Sequence, residues 1–186
     1  FPLVELYGKT MGIVGFGLIG RQLARIARAF DMSILAYDPI RDEKYAAENQ
    51  IQLVELDDLL ARCDYLSLHL PLMPSTRDLI GARELALMKP TAFMVNAARG
   101  GIVNEEALYQ ALKAGRLAGA ALDVFDQEPP AKNNPLLTLD NLIATPHVAG
   151  STDEGLDSIV GASGRNVVDY IECRPPYGLR NPDGLS

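Results

Sequence analysis

The stretch that most constrains this chain is Met11-Gly12-Ile13-Val14-Gly15-Phe16-Gly17-Leu18-Ile19-Gly20-Arg21, an apolar run that breaks into spaced glycines and then turns helical. Gly15 permits a tight turn out of a strand, Gly17 removes a side chain that would block a pyrophosphate, and Gly20 lets a helix lie close to a sheet. Leu18, Ile19, Leu23, Ile26, Ala27 and Phe30 then recur at helical spacing, so the first amides of that helix point outward as an anion site. A second strand, Ser33-Ile34-Leu35-Ala36-Tyr37, ends at Asp38, about 20 residues beyond the glycines. A carboxylate there accepts the ribose hydroxyls of an adenosine and repels a 2′-phosphate, which favours NAD over NADP. The alternative is a glycine-rich strand-to-helix turn with Asp38 an ordinary turn residue before Pro39.

Apolar, β-branched runs alternate with amphipathic helical patterns along nearly the whole chain, the pattern of a parallel sheet covered on both faces. Expected strands lie at Ile51–Val54, Tyr65–His69, Ala92–Asn96, Leu117–Phe125 and Leu142–Thr145. Helices are expected at Asp42–Asn49, Leu56–Ala61, Ala82–Met88, Asn104–Ala114 and Thr152–Cys173. The last contains Gly155, Gly161 and Gly164, each costing about 1 kcal/mol relative to Ala in a helix interior, so it needs packing or close contact to persist. Leu70-Pro71-Leu72-Met73-Pro74 opens a loop at the end of the fourth strand, where proline forbids a continuing ladder. In an open α/β sheet that edge binds ligands.

The chain has 186 residues, enough for one large domain, and a formal charge of −7 with no basic stripe for nucleic acid. Cys63 and Cys173 lack metal-spaced partners and read as reduced thiols, so no metal site is expected. No run is long and apolar enough to cross a bilayer, and Phe1–Glu5 lacks the pattern of a signal peptide. A cytoplasmic protein is expected.

Arg99, Glu128 and His147 each follow an expected strand, so parallel strands bring them to the edge that carries the glycine turn. Hydride exchange between an alcohol and a nicotinamide needs such a trio. An imidazole takes the hydroxyl proton, a carboxylate fixes its tautomer, and a guanidinium grips the substrate's carboxylate. Taken singly, each is an ordinary loop residue.

Asn96-Ala97-Ala98-Arg99-Gly100-Gly101-Ile102-Val103-Asn104-Glu105, Gly119 through Pro130 and Thr145-Pro146-His147-Val148-Ala149-Gly150-Ser151-Thr152 closely resemble the signatures of the D-isomer-specific 2-hydroxyacid dehydrogenases. With Gly8–Gly17 and His69–Thr76 in the same order, the resemblance covers roughly residues 8 to 170, and it looks like the branch of phosphoglycerate dehydrogenase and the glyoxylate or hydroxypyruvate reductases. It implies that Arg99 binds the substrate carboxylate, Glu128 orients the histidine and His147 is the acid/base. It further implies that Gly15, Gly17 and Gly20 belong to the cofactor site, that Leu18 and Ile19 lie over the pyrophosphate, that Asp38 holds the adenine ribose, and that Leu70 and Pro71 flank the adenosine half. His69 and Thr76 of the same motif join the cofactor contacts. Ala97, Ala98 and Arg99 line the nicotinamide pocket, Asp123 meets the carboxamide, and His147, Ala149 and Gly150 close the site.

The implied fold is a three-layer Rossmann-type doubly wound parallel sheet over residues 1–173, followed by a tail at 174–186. Family members carry a second, substrate domain built from a long N-terminal segment and a return of the C-terminus. This chain starts immediately before its first strand, so an isolated cofactor domain with little turnover alone is expected. A homodimer through that domain, a small 2-hydroxy or 2-keto acid substrate, and no nucleic-acid or membrane partner are also expected. The competing readings are an NAD-sensing corepressor-like interaction module and another NAD enzyme such as a formate dehydrogenase.

Overall fold

A computed structural model of the chain describes residues 3–177. The expected tail at 174–186 therefore lies outside the described residues from 178 onward. By packing, the chain divides into two compact units, with the boundary between His147 and Val148.

The first unit is built in the order β1 (Thr10–Val14), α1 (Leu18–Arg28), β2 (Ser33–Tyr37), α2 (Glu43–Glu48), β3 (Gln52–Leu53), α3 (Leu56–Arg62) and β4 (Tyr65–Leu68). It continues with α4 (Ala82–Leu87), β5 (Phe93–Asn96), α5 (Glu105–Lys113), β6 (Gly119–Leu122), a short 3₁₀ turn (Pro135–Thr138) and β7 (Leu142–Ala144). All the strands pair in parallel, in the order β3-β2-β1-β4-β5-β6-β7. The chain reverses its direction of winding between β1 and β4, the switch point at which such sheets bind ligands. Expected strands and helices form with ends trimmed by a few residues, while the 3₁₀ turn was not expected.

Side chains alternate across each strand and so feed two separate cores. Ile13, Ile34 and Ala36 pack beneath α1 and α2 with Ala24, Ala27 and Ala46. Val14, Leu35, Leu66 and Met94 pack on the other face with Leu59, Leu60, Leu85 and Leu108 from α3, α4 and α5. This is the three-layer arrangement. Helix α3 sits so close to β1 that a Cβ on Gly12 would lie 2.6 Å from Leu59 Cδ2. Asp64 ties the sheet's far edge, accepting from the Thr10 amide at 2.9 Å and pairing with Lys89 Nζ at 2.8 Å.

The second unit contains α6 (Asp153–Ile171), with Thr152 Oγ1 accepting from the Gly155 amide at 3.0 Å as its N-cap. No residue of α6 is buried, and Leu156, Ile159, Val160, Val167, Val168 and Ile171 are exposed.

Candidate functional site

The glycines of the turn after β1 meet three different physical demands. Gly15 has φ +96°, and a Cβ there would lie 2.7 Å from the carbonyl carbon of His69, at the end of β4. A Cβ on Gly20 would lie 2.4 Å from the Gly15 carbonyl oxygen, so α1 can follow the turn closely only without one. Gly17 is different: it is extended, and a Cβ there would meet nothing within 4 Å. No atom of the described residues requires that glycine. Gly17 also offers no side chain to cap α1, so the first amides of the helix remain available to an incoming anion. Leu18 and Ile19, on that first turn, are exposed.

Asp38 is built into the same turn. Its Oδ2 accepts from the Phe16 amide at 2.7 Å and its Oδ1 from the Ile40 amide at 2.8 Å. A carboxylate has about four lone-pair sites, so both oxygens keep capacity for ribose hydroxyls while the backbone holds them in place. Arg21 braces the region behind, pairing with Asp42 at 2.8 Å and lying 4.1 Å from the centre of the Tyr45 ring.

The loop after β4 is self-supporting. Thr76 Oγ1 donates to the Pro71 carbonyl at 2.7 Å and accepts from the Met73 amide at 2.8 Å, and Thr76 is buried. Its hydroxyl is thereby engaged inside the loop. The His69 ring lies 2.9 Å from Ser67 Oγ, and burial lowers its pKa. Leu70 is a core side chain, whereas Pro71 is exposed.

At the other side of the switch point, Glu128 uses both carboxylate oxygens. Oε2 meets His147 Nδ1 at 2.8 Å and Oε1 accepts from the Phe125 amide at 3.0 Å. The His147 hydrogen bond, followed by the Phe125 amide, holds the Glu128 carboxyl below the usual carboxylate range. Ionised Glu128 can only accept, so the proton of the pair sits on Nδ1 and leaves Nε2 as the acceptor nitrogen of the neutral ring. His147 has φ +56°, a left-handed conformation that costs a non-glycine residue about 1–2 kcal/mol. Such strain concentrates where a side chain must be aimed. Pro130, Phe125, Glu128 and His147 help to line a cavity of about 270 Å³. A larger cavity of about 530 Å³ lies between α4 and α5 and is lined by none of the trio.

Asp123, at the end of β6, is buried and accepts from Thr145 Oγ1 at 2.5 Å, joining the ends of β6 and β7. Arg99 is exposed, its guanidinium folded onto the Ala98 carbonyl at 2.6 Å. Ala97 and Ala98 precede it in the same loop. Ala149 and Gly150 belong to the second unit.

Four positions went unassigned on sequence reasoning. Asn96 is buried, accepts from the Ala98 amide at 3.1 Å and donates to the Arg99 carbonyl at 3.0 Å, so it shapes the Arg99 loop. A Cβ on Gly100 would lie 1.9 Å from the Phe125 carbonyl oxygen, so the Arg99 loop rests directly on the backbone leading to Glu128. Thr145 and Glu105 complete the set. A polar residue closing an apolar strand was the available signal for Asn96, and the Gly100-Gly101 doublet for the close approach.

Residues 1–149 match the family model for the D-isomer specific 2-hydroxyacid dehydrogenase, NAD binding domain. The chain is 52% identical over 155 residues to the D-3-phosphoglycerate dehydrogenase of Methanocaldococcus jannaschii, covering 83% of this chain and 29% of that protein. It is 42% identical over 179 residues to the glyoxylate reductase of Korarchaeum cryptofilum, covering 96% of this chain and 54% of that protein. Among solved structures, the D-lactate dehydrogenase of Aquifex aeolicus complexed with NAD and lactic acid aligns with a TM-score of 0.84 and 33% identity, over 91% of this chain and 55% of the other. The chain spans about half, or less, of the length of these relatives. With the glycine turn, Asp38 and the doubly wound sheet in place, these matches show that the chain belongs to the D-isomer specific 2-hydroxyacid dehydrogenase family, as its NAD-binding domain.

Proposed function

We propose that this domain serves an NAD-dependent oxidoreductase that interconverts a D-2-hydroxy acid and its 2-keto acid. The observation that carries the reading is the Glu128–His147 pair, at 2.8 Å, with the segment leading to Glu128 abutting the Arg99 loop at Phe125. The residues present fit NAD: open space at Gly17, free amides opening α1, and an Asp38 carboxylate with spare acceptor capacity. When bound, NAD supplies a nicotinamide carbon that gives or accepts a hydride at substrate C2.

His147 gives or takes the hydroxyl proton through Nε2. Glu128 keeps the opposite nitrogen protonated and steadies the imidazolium that forms on oxidation of the alcohol. Arg99 swings from the Ala98 carbonyl to grip the substrate carboxylate in bidentate fashion, drawing the keto oxygen toward His147. Leu18, Ile19 and the first amides of α1 receive the pyrophosphate, and Asp38 receives the adenosine ribose. Leu70 and Pro71 border the adenosine half, with His69 and Thr76 shaping that border. Ala97, Ala98 and Asp123 would hold the nicotinamide.

The substrates are small 2-hydroxy or 2-keto acids, the class of the phosphoglycerate and glyoxylate that the relatives' names record. We assign a homodimer and a cytoplasmic setting on the same family grounds, the latter together with free thiols at Cys63 and Cys173. Sedimentation showing monomer alone would remove the dimer.

Steady-state kinetics test the activity in the protein that carries this domain, with NADH and glyoxylate or hydroxypyruvate. His147→Asn lowers kcat by about 10²- to 10⁴-fold, and Arg99→Ala raises KM for the keto acid. Absent turnover by the unaltered protein, or wild-type kcat in His147→Asn, overturns the reading.

A further inference from the structure

We infer that Glu105 is a positioning residue of this site, holding the Arg99 loop and the Glu128–His147 pair at one fixed spacing. The inference rests on the oxidoreductase reading above.

Glu105 opens α5, six residues beyond Arg99, and spends its carboxylate on the other loop. Oε1 accepts from the Asp126 amide at 2.7 Å and Oε2 from Asn134 Nδ2 at 2.9 Å. Asp126 and Asn134 stand on either side of Glu128, so one side chain closes the segment that carries it. Asn134 in turn accepts from the Leu136 amide at 3.0 Å, and Leu136 is fully buried. Both ends of the Glu128 segment are thus tied to fixed points.

The connection back to Arg99 is equally firm. Gly100 lies against the Phe125 carbonyl, Ile102 and Val103 are buried, and the Asn104 amide donates to the Ile80 carbonyl at 3.0 Å. Asn104 Oδ1 caps α5 by accepting from the Ala107 amide at 2.9 Å. Little freedom remains between Arg99 and Glu105.

Both of Glu105's partners are N–H donors, which a carboxylate satisfies and an amide does not, since Gln presents one oxygen and one donor group. Beside it the Asp126 carboxyl is pushed up by burial and then by Glu105 and Asp78, against the pull of Arg77. Glu105 touches neither Glu128 nor His147 in this bonding pattern, so it acts through the backbone that presents them.

The test compares Glu105→Ala, Glu105→Gln and the unaltered chain by NMR, reading the low-field Nδ1 proton of His147 that the Glu128 hydrogen bond shelters. The same substitutions in the protein carrying this domain are read as kcat and as KM for NAD. In Glu105→Ala the proton signal disappears and kcat falls on the order of ten- to a hundred-fold, the scale of a misplaced catalytic group, with KM for NAD unchanged. Glu105→Gln keeps one of the two bonds and recovers part of both readouts. Where Glu105→Ala fails to fold, Glu105→Gln and Asn134→Ala carry the comparison, each with a partial loss. An intact proton signal with wild-type kcat in every folded variant overturns the inference. Lack of turnover by the unaltered protein instead defeats the oxidoreductase reading, and the NMR comparison still decides whether Glu105 holds the pair.

Discussion

Gly17→Ala separates what the glycine turn does for folding from what it does for NAD. Gly17 is extended and a new methyl meets no atom of the described residues within 4 Å, so the fold has room for it. The expected stability cost is the difference between Gly and Ala at an N-cap, about 0.5–1 kcal/mol. For a bound pyrophosphate the methyl stands in the path of approach to the helix amides. Losing one charge-assisted hydrogen bond costs about 1.5–3 kcal/mol, or roughly ten- to a hundred-fold in Kd for NAD. Urea unfolding and calorimetric titration of NAD read the two quantities on the same sample. Gly20→Ala is the control, because its Cβ would lie 2.4 Å from the Gly15 oxygen. There stability falls by about 1–3 kcal/mol through overpacking. NAD affinity within twofold of wild type in a folded Gly17→Ala would refute the assignment of that space to the phosphates.

Gly100→Ala forces the Arg99 loop off the Phe125 carbonyl and is expected to cost at least about 1–3 kcal/mol, checked by the urea midpoint. Leu59→Ala removes a fully buried side chain pressed on Gly12 and lowers stability by about 2–5 kcal/mol; a thermal or urea melt within 0.5 kcal/mol of wild type, roughly the level of a neutral surface change, would contradict that packing. Glu128 is held below its ordinary range, so its contribution to stability is present above the unfolded carboxylate value and is lost as pH falls through the folded one. Unfolding followed from pH 6 down through about pH 3 should therefore show a shallower loss in Glu128→Gln than in wild type. The effect is small because the pair is partly exposed.

Much of this architecture was legible because it is local. Alternating strand and helix patterns, the spacing of Gly15, Gly17 and Gly20, and Asp38 at the end of β2 each follow from short-range rules, and the parallel order follows from their alternation. The contacts that tune the site are long-range and carry no such pattern. Glu105 reads as an ordinary acid in the first turn of a helix until the fold brings Asp126 and Asn134 to it. Asp38 reads as a ribose ligand, and only the structure shows the Phe16 and Ile40 amides holding it. The 3₁₀ turn at Pro135–Thr138 is hidden for the same reason, since buried Leu136 and the Asn134 cap define it rather than any periodicity. The glycines within α6 call for packing, and its exposed Val160, Val167 and Ile171 are where a covering surface would have to act.

The most direct measurement follows deuterium from NADH labelled at the nicotinamide carbon C4 into glyoxylate or hydroxypyruvate, in the protein that carries this domain. Label is expected at C2 of the hydroxy acid product, at a rate that drops on the order of 10²-fold or more in His147→Asn. Product without label, or labelled product formed equally fast by His147→Asn, would contradict that expectation.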